Sequence, residues 1–508
     1  MSLARVTAFA LDGVDSRRVW VEADIRVGLP AFTIVGLADK AVREARERVR
    51  SAITNSGFEF PQKRITINLA PAYLRKIGPG FDLPLAMAIL AASGQVEREQ
   101  VEGCVFAGEL SLTGEVRPIR GALAVAQGTR AHGLTRIVVP AARAREAALV
   151  EGIEVVAVSS LHEAADVLAC RAAVPPLPEP VAEPDEPAAL EPPDMSDVRG
   201  HDALLPAILV AAAGGHNLFL HGPPGTGKTM IARRVPSILP PLTRAEAIEV
   251  TRIHSIAGLH SGGGLVETRP FRAPHHTISP PGLVGGGTVP LPGEITLAHH
   301  GVLFLDQLSE FARSSLEALR QPLEDGRVAI VRCQRVMLFP TRCMLVAASN
   351  PCPCGLGDHR CRCSAADLAR HQRRLSGPLL DRIDVTIAVG RPAAQALREQ
   401  RAPGSPVLRE QVVAARERQL RRFAGLGVSC NAQMTPRMVR ELVGATPSAL
   451  RLLYELHDRD GLSARGHHRV LRVARTAADL EGSGVVGPEH VTAALAHRTD
   501  AAPNRVAA

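Results

Sequence analysis

The chain has 508 residues and a hydrophobic content of 46%, which is enough for two or three domains with their own cores. No apolar run reaches the roughly 20 residues of a membrane helix and the N-terminus lacks a signal-peptide layout, so we expect a soluble cytoplasmic protein without membrane contact. The formal net charge of +8 permits an anionic partner but does not by itself establish one. The basic residues are almost all arginine, which suits bidentate phosphate contacts, although a compositional bias of the genome explains the excess equally well.

Residues 1–172 are predicted to form an α/β domain, because β-like runs such as "RITINLAPA" alternate with helical runs such as "DKAVREARERVRSAI". The stretch "VPPLPEPVAEPDEPAALEPPD" is rich in proline and acidic residues and cannot bury a core. It predicts an extended linker over residues 173–195.

Residues 196–395 are predicted to form a second α/β domain. It begins with a helix and continues into the strand "HNLFLHG". Residues 396–508 have a helical pattern almost throughout, as in "HHRVLRVARTAADLEG", and predict a C-terminal helical subdomain.

The segment "GPPGTGKT" matches the phosphate-binding loop G-x-x-x-x-G-K-[ST] and lies between a predicted strand and a predicted helix. Its glycines let backbone N–H groups face phosphates, while its lysine reaches the β- and γ-phosphate oxygens and its last hydroxyl binds Mg²⁺. This motif predicts an ATP site. The predicted nucleotide-binding residues of the loop are Gly222, Gly225, Thr226, Gly227, Lys228 and Thr229.

Two strand ends downstream complete the predicted MgATP site. The run "VLFLD" places Asp306 as the carboxylate on the Mg²⁺ side, together with Thr229. The run "CMLVAASN" ends in Asn350, which is expected to contact the γ-phosphate or the attacking water. Arg382 and Arg465 are candidate cations against the charge that develops in phosphoryl transfer, the alternative being surface or salt-bridge residues.

The segment "NPCPCGLGDHRCRCS" places four of the nine cysteines within twelve residues, as two C-x-C pairs. Cys352, Cys354, Cys361 and Cys363 are candidate ligands of a tetrahedral Zn²⁺ site, with His359 as a substitute. A free or redox-labile thiol cluster is the alternative. The neighbouring Arg360 and Arg362 would suit phosphate contact.

The phosphate loop, "PGEITLAHHGVLFLD", the asparagine at the strand end, "GPLLDRID" and "SARGHHRVLRVARTAADL" together resemble the magnesium-chelatase-like AAA+ ATPases of the YifB/ComM type. The resemblance covers nearly the whole chain. It implies a ring, expected to be a hexamer, that works as a branch-migration helicase on branched or single-stranded DNA and supports natural transformation. It also implies that Arg382 is the arginine finger and Arg465 the second sensor.

The N-terminal segments "GPGFDLPLAMAIL" and "AGELSLTGEVRPIRG" resemble the Lon protease domain. Lon-type proteolysis uses a serine in a stretch similar to "GPSAG" and a lysine further on. Here Gly80 stands at the serine position, and no lysine follows the second segment until Lys228. We therefore predict no peptidase activity.

The long insert before "PGEIT" faces the central pore in relatives, which makes Arg269 and Arg272 candidate DNA contacts. Its paired histidines, His275 and His276, are predicted to form loop-stabilising hydrogen bonds in preference to a metal site. The segment "GRVAIVRCQRV" predicts a hairpin. Its candidate strand-tracking cations are Arg327, Arg332 and Arg335, with a solvated hairpin face as an equally good interpretation.

Gln307 departs from the pattern of ATP-hydrolysing relatives, which have glutamate at this position to orient the attacking water. Glutamine cannot act as a base, so hydrolysis is expected to slow by ~10²-fold or more. Two alternatives to the motor follow: an ATP-gated DNA clamp that turns over slowly or not at all, and a motor subunit of a metal chelatase. Glu310 and Glu294 are the candidates to replace the missing glutamate.

Overall fold

The computed structural model describes residues 2–179, 193–260, 263–287, 290–332, 335–357, 361–374, 377–392, 395, 403–460 and 462–499. The chain divides into two compact units, and neither is continuous in sequence. The first unit comprises Met1–Ala188, Arg244–Val266 and Val331–Leu338. The second comprises Ala189–Thr243, Glu267–Ile330 and Phe339–Ala508.

The first unit is built on a seven-stranded mixed sheet. Its strands lie in the order Ala31–Val35, Arg64–Ala70, Asp15–Arg26, Ser2–Asp12, Cys104–Phe106, Arg136–Pro140 and Glu154–Val158. A small hairpin joins Glu109–Leu110 to Val116–Arg117. Its helices are Lys40–Asn55, the 3₁₀ turn Pro79–Phe81, Asp82–Ser93, Arg98–Val101, Ala122–Ala131, Ala141–Ala147, Leu161–Leu168 and Arg244–Ala257.

Helix Asp82–Ser93 forms the centre of this unit, because eleven of its residues are buried and nearly all of them are apolar. The exception is Asp82, which is fully buried and accepts hydrogen bonds from Arg48 Nε at 2.7 Å and Nη2 at 3.0 Å. Burial raises the pKa of Asp82 to about 6, against the opposing effect of Arg48. The helix that begins at the aspartate of "GPGFD" therefore carries a buried carboxylate whose charge is paired with a partly exposed arginine.

Helix Arg244–Ala257 belongs to the first unit although it follows the phosphate-loop helix in sequence. Ser255 Oγ donates a hydrogen bond to the buried carboxylate of Glu146 and accepts one from the Gly121 backbone N–H at 3.0 Å. On the same helix Arg252 pairs with Asp15 at 3.2 Å. Because Glu146 is buried, the hydrogen bond from Ser255 is part of the core of this unit.

The second unit is built on a five-stranded sheet in which all neighbouring strands are parallel. The strands lie in the order Phe271–Arg272, Val302–Leu305, Met344–Ser349, Leu218–His221 and Val385–Ala388. The first strand in sequence, Leu218–His221, therefore lies between the fourth and the last. In such a sheet the carboxyl ends of the strands meet at one edge, where ligands bind.

Helices surround this sheet and continue into the C-terminal region. The helices up to residue 380 are Met195–Asp197 and Asp202–Leu204 (both 3₁₀), Leu205–Gly214, Lys228–Ile238, Pro280–Val284, Glu294–Leu297, Leu308–Glu310 (3₁₀), Arg313–Ala318, Arg320–Asp325, Ala365–Arg374 and Gly377–Leu380. Those of the C-terminal region are Ser405–Arg422, Asn431–Gln433 (3₁₀), Pro436–Leu442, Pro447–Asp460, Ala464–Glu481 and Pro488–Thr499. Two short hairpins complete the strands: Gly285–Gly286 with Leu291–Pro292, and Arg327–Arg332 with Arg335–Pro340.

The predicted fold class is confirmed: two α/β regions are followed by a helical C-terminal region. Part of the predicted linker, residues 180–192, lies outside the described residues. Among the helices that the structure describes, none has the length and hydropathy needed to cross a membrane.

Candidate nucleotide site

The segment Gly222–Thr229 joins strand Leu218–His221 to helix Lys228–Ile238, as the motif predicts. Gly227 stands before the first helical residue with a φ of 90°, a conformation that glycine adopts without strain. The free N–H groups of the first helical turn therefore begin at the loop, where the helix dipole favours an anion.

Lys228 is buried and donates three hydrogen bonds to neutral oxygen atoms. Its Nζ lies 2.7 Å from Gly222 O, 2.8 Å from Pro223 O and 3.2 Å from Asn350 Oδ1. Burial lowers the pKa of Lys228, and the nearby Asp306 carboxylate opposes that shift. A buried ammonium whose three hydrogen-bond acceptors are uncharged fits the phosphate groups of a nucleotide.

Thr229 and Asp306 meet at the carboxyl end of strand Val302–Leu305. Thr229 Oγ1 donates to Asp306 Oδ2 at 2.8 Å. A hydroxyl and a carboxylate oxygen are the ligands with which Mg²⁺ is held beside nucleotide phosphates in phosphate-loop proteins. The two residues therefore fit the magnesium role predicted for them.

Gln307 follows Asp306 in a left-handed backbone conformation, with φ 52° and ψ 53°. The backbone N–H of Gln307 donates a hydrogen bond to Asp306 Oδ1 at 2.9 Å, so this turn fixes the orientation of the Asp306 carboxylate. The Gln307 side chain is exposed. Because a non-glycine residue is uncommon at positive φ, this turn is a strained position directly beside the predicted Mg²⁺ ligand.

Asn350 ends strand Met344–Ser349 and links three parts of the site. Its side-chain oxygen accepts from Lys228, and its backbone oxygen lies 3.1 Å from Nε2 of the buried His371. Contacts of both its side chain and its backbone therefore fix Asn350 at the end of the strand. The structure brings Asn350 to the phosphate loop, while its contact with the γ-phosphate or the attacking water stays a prediction.

Arg382 and Arg465 contact the same acidic residue. Arg382 Nη2 lies 2.5 Å from Glu324 Oε2, and Arg382 Nε donates to Arg320 O at 3.1 Å. Arg465 Nη2 lies 4.0 Å from Glu324 Oε1, at the start of helix Ala464–Glu481. Within the single chain the two arginines therefore meet at Glu324, a residue that the sequence did not single out.

The four cysteines of the loop after Asn350 converge. The Sγ–Sγ distances are 3.3 Å for Cys352–Cys354, 3.7 Å for Cys352–Cys361 and 3.9 Å for Cys354–Cys361. Cys363 Sγ accepts from the Cys354 backbone N–H at 3.3 Å. Backbone N–H groups of Arg362 and Leu356 lower the pKa of Cys354 to about 6. His359 and Arg360 lie outside the described residues.

The two glutamates considered as replacements for the missing catalytic glutamate each have a basic partner. Glu310 Oε2 lies 3.5 Å from Arg374 Nη1. Glu294 accepts both Nε and Nη2 of Arg272, at 2.6 and 2.9 Å. The bidentate pair with Glu294 partly neutralises Arg272, one of the two candidate DNA contacts of the insert.

Other candidates from the insert and the hairpin are part of the local structure. Arg269 donates to the carbonyl oxygens of Pro240, Pro241 and His300. The His275 and His276 rings lie 4.0 Å apart, and His275 Nδ1 lies 2.9 Å from Thr277 Oγ1, in line with the predicted loop-stabilising role. The hairpin is present and Arg327 is exposed at its start, whereas the side chains of Arg332 and Arg335 lie outside the description.

Three residues that contact the site were not predicted from the sequence. Glu324 lies in "RQPLEDGR" and His371 in "AADLARHQRR", neither of which matches a motif. A Cβ added to Gly227 would lie 3.6 Å from His201 Nε2, which places that buried histidine beside the phosphate loop. No local pattern marks these residues, because their roles depend on contacts far apart in sequence.

A phosphate loop, a carboxylate beside its threonine and an asparagine on the adjacent strand, at the edge of a five-stranded parallel sheet, define a phosphate-loop nucleotide-binding protein. Family models extend this assignment. "Magnesium chelatase, subunit ChlI" matches residues 194–397, "Subunit ChlI of Mg-chelatase" matches 21–143, and "Magnesium chelatase, subunit ChlI C-terminal" matches 403–498.

Individual relatives narrow the family to which the chain is assigned. The chain is 41% identical over 502 residues to YifB of Escherichia coli, covering 98% of this chain and 97% of YifB. It is 41% identical over 506 residues to competence protein ComM of Haemophilus influenzae, covering 98% of each. A stretch of 130 residues is 31% identical to Lon protease of Chloroflexus aurantiacus, covering 24% of this chain and 15% of Lon protease. The chain belongs to the YifB/ComM-type family of magnesium-chelatase-like proteins.

Proposed function

We propose that the chain is an ATP-driven ring motor that acts on DNA and promotes branch migration when incoming DNA is recombined. The main support for this proposal is that a lysine, a threonine hydroxyl, an aspartate and an asparagine lie together at the phosphate loop. The relative called a competence protein matches 98% of the chain, including the N-terminal unit. Magnesium-chelatase models also match most of the chain, so it is the name of this relative, a competence protein, that favours a DNA role over a metal-chelatase motor.

Each residue of the site has a separate role in this proposal. Lys228 would place its charge against the β- and γ-phosphate oxygens, held in line by Asn350. Thr229 and Asp306 would hold Mg²⁺, which when bound offsets the negative charge of the phosphates. Gly222, Gly225, Thr226 and Gly227 would supply the backbone around the phosphates. Asn350 would also contact the γ-phosphate or the attacking water.

The arginines support a ring in which each site is completed by the next copy. Within its own chain Arg382 is held by Glu324 and by the Arg320 carbonyl. We propose that Arg382 acts as the finger on the nucleotide of a neighbouring copy, and that Arg465 is the second sensor. Glu324 would hold both side chains until a nucleotide phosphate competes for them.

The expected contact with DNA is mainly electrostatic. The chain carries 59 Lys and Arg against 51 Asp and Glu. Aromatic residues make up only 3% of the chain, which is few for a surface that stacks single-stranded bases. Arginine contacts with the phosphate backbone would make binding strongly dependent on salt.

The test measures ATP turnover by the full-length protein with and without a four-way DNA junction, and strand exchange from a labelled junction. We expect stimulated turnover and ATP-dependent strand exchange at low salt. Lys228→Ala should lower turnover by ~10²-fold or more while circular dichroism stays unchanged. Failure to bind forked or four-way DNA at low salt with ATP present, or turnover that does not need Lys228, would contradict the proposal.

Gln307 supports a second candidate, a DNA clamp that binds ATP and hydrolyses it slowly or not at all. The residue that would orient water has no carboxylate, and the nearby Glu310 is paired with Arg374. A clamp predicts tight ATP-dependent DNA binding with little turnover and no strand exchange. The same assays separate it from the motor.

A further inference from the structure

The four-cysteine loop, residues 352–363, has the sulfur geometry of a tetrahedral metal site. The four Sγ atoms all lie within 4.8 Å of one another. With Zn–S bonds of about 2.3 Å, tetrahedral Zn²⁺ requires Sγ atoms about 3.8 Å apart. The distances of 3.3, 3.7 and 3.9 Å among Cys352, Cys354 and Cys361 lie around this value. The loop is thus already arranged for four thiolate ligands.

The same loop packs against the phosphate loop. Gly355 has a φ of +75°, and a Cβ added there would lie 2.9 Å from Cδ and 3.1 Å from Cγ of Pro224. Pro224 is the third residue of "GPPGTGKT". Gly355 follows the first two cysteines of the loop. Its backbone therefore lies directly against the phosphate loop, whose N–H groups would face the nucleotide.

A second connection runs through Asn350, two residues before Cys352. Its side chain accepts a hydrogen bond from Lys228, and its backbone oxygen contacts His371. The cysteine loop thus begins at a residue that positions the phosphate-binding lysine. A change in the shape of the loop would be transmitted to the phosphate loop at two points, Pro224 and Lys228.

We infer that the cysteine loop is a Zn²⁺ site that braces the phosphate loop, so that metal occupancy sets the affinity for ATP. Between residues 351 and 364 the described part of the loop contains turns but no helix or strand to hold its shape. Metal coordination fixes such a loop, and without metal its conformational freedom increases. Pro224 would then lose the support of the Gly355 backbone. Binding of ATP would have to order the phosphate loop again, which lowers the affinity.

The inference rests on the proposed nucleotide site and is tested with the full-length protein. Zinc content is measured by mass spectrometry, and ATP affinity by a fluorescent ATP analogue, before and after treatment with a chelator. We expect one zinc per chain, ATP affinity about tenfold weaker after zinc removal, and recovery on adding Zn²⁺. Cys352→Ser with Cys363→Ser should lose zinc, whereas Cys170→Ser, outside the loop, should keep it.

Substitutions at two glycines of the loop distinguish an effect on the contact with the phosphate loop from general damage to the cysteine loop. Gly355 and Gly357 both have positive φ, but a Cβ on Gly357 would meet Pro351 and not the phosphate loop. Gly355→Ala should retain zinc and weaken ATP binding by about tenfold, while Gly357→Ala should retain both. Equal ATP affinity with and without zinc, or absence of bound zinc after dialysis against Zn²⁺, would overturn the inference. Failure of the zinc-loaded protein to bind ATP would instead contradict the proposed function.

Discussion

At the scale of single residues, the position after Asp306 distinguishes the two proposed functions, a motor that hydrolyses ATP and a clamp that hydrolyses it slowly or not at all. Gln307 adopts a left-handed conformation, and its backbone N–H holds Asp306. Glutamate and glutamine have the same size and the same backbone preferences, so exchanging them changes the chemistry of the side chain and leaves the turn intact. The residue therefore allows a test of catalysis that does not disturb nucleotide binding.

We predict that Gln307→Glu raises steady-state ATP turnover by ~10-fold or more, because it restores a carboxylate that can orient and activate water. ATP affinity should change little. The measurement is turnover with saturating ATP and junction DNA, with Gln307→Asn as the control that lacks a carboxylate. Brisk native turnover that the glutamate does not increase would show that another residue orients the water, and would remove the basis of the clamp.

The positions of the candidate nucleotide-binding residues could be predicted from sequence because each lies in a short pattern at a strand end, while their binding of nucleotide stays a prediction. The lysine, threonine, aspartate and asparagine all meet where the motif and the parallel sheet require. Glu324, His371 and the contact of Gly355 with Pro224 could not be predicted in this way. Each joins segments that are distant in sequence, and no spacing rule encodes such contacts.

At the scale of elements, helix Arg244–Ala257 is the part of the fold that sequence patterns did not predict. It lies between the phosphate-loop helix and the next strand of the second unit, yet its Ser255 bonds the buried Glu146 of the first unit. Burial raises the pKa of Glu146, and the Ser255 hydrogen bond opposes that rise. Periodicity identifies a helix from sequence, but it does not identify the core against which the helix packs.

We predict that Ser255→Ala destabilises the first unit by about 1–3 kcal/mol, because it removes a hydrogen bond from a buried carboxylate. The single tryptophan, Trp20, lies in strand Asp15–Arg26 and reports on this unit alone. Urea unfolding followed by its fluorescence measures the change.

Arg244→Ala on the same helix is the matched control for Ser255→Ala. It removes an ion pair with Glu151 in which both side chains are mostly exposed, and it should change stability by less than ~1 kcal/mol. Equal effects of the two substitutions on the Trp20 transition would show that the buried hydrogen bond does not anchor the helix.

At the scale of the whole molecule, the proposed ring makes each active site a property of two copies. The phosphate loop and the finger arginine would then belong to different copies, so two inactive variants can complement each other. Lys228→Ala lacks the phosphate-binding lysine and keeps Arg382, while Arg382→Ala has the opposite defect. This arrangement distinguishes a finger that acts between copies from one that acts within a chain.

We predict that mixing Lys228→Ala and Arg382→Ala in equal amounts restores turnover to about a quarter of the native value, because a quarter of random interfaces combine both intact residues. Each variant alone should be nearly inactive. The measurement is ATP turnover after the mixed copies have been allowed to exchange. Mixtures as inactive as the separate variants, although size measurements show mixed rings, would mean that Arg382 does not act between copies.

The interrupted first unit also affects the order in which the protein can be made. Domains usually fold from the N-terminus while the ribosome is still adding residues. Here Arg244–Val266 and Val331–Leu338 complete a unit that starts at the first residue. Until these late segments have left the ribosome, the growing chain carries the carboxylate of Glu146 without its serine partner. The first unit to begin synthesis can therefore be completed only after much of the second has been made.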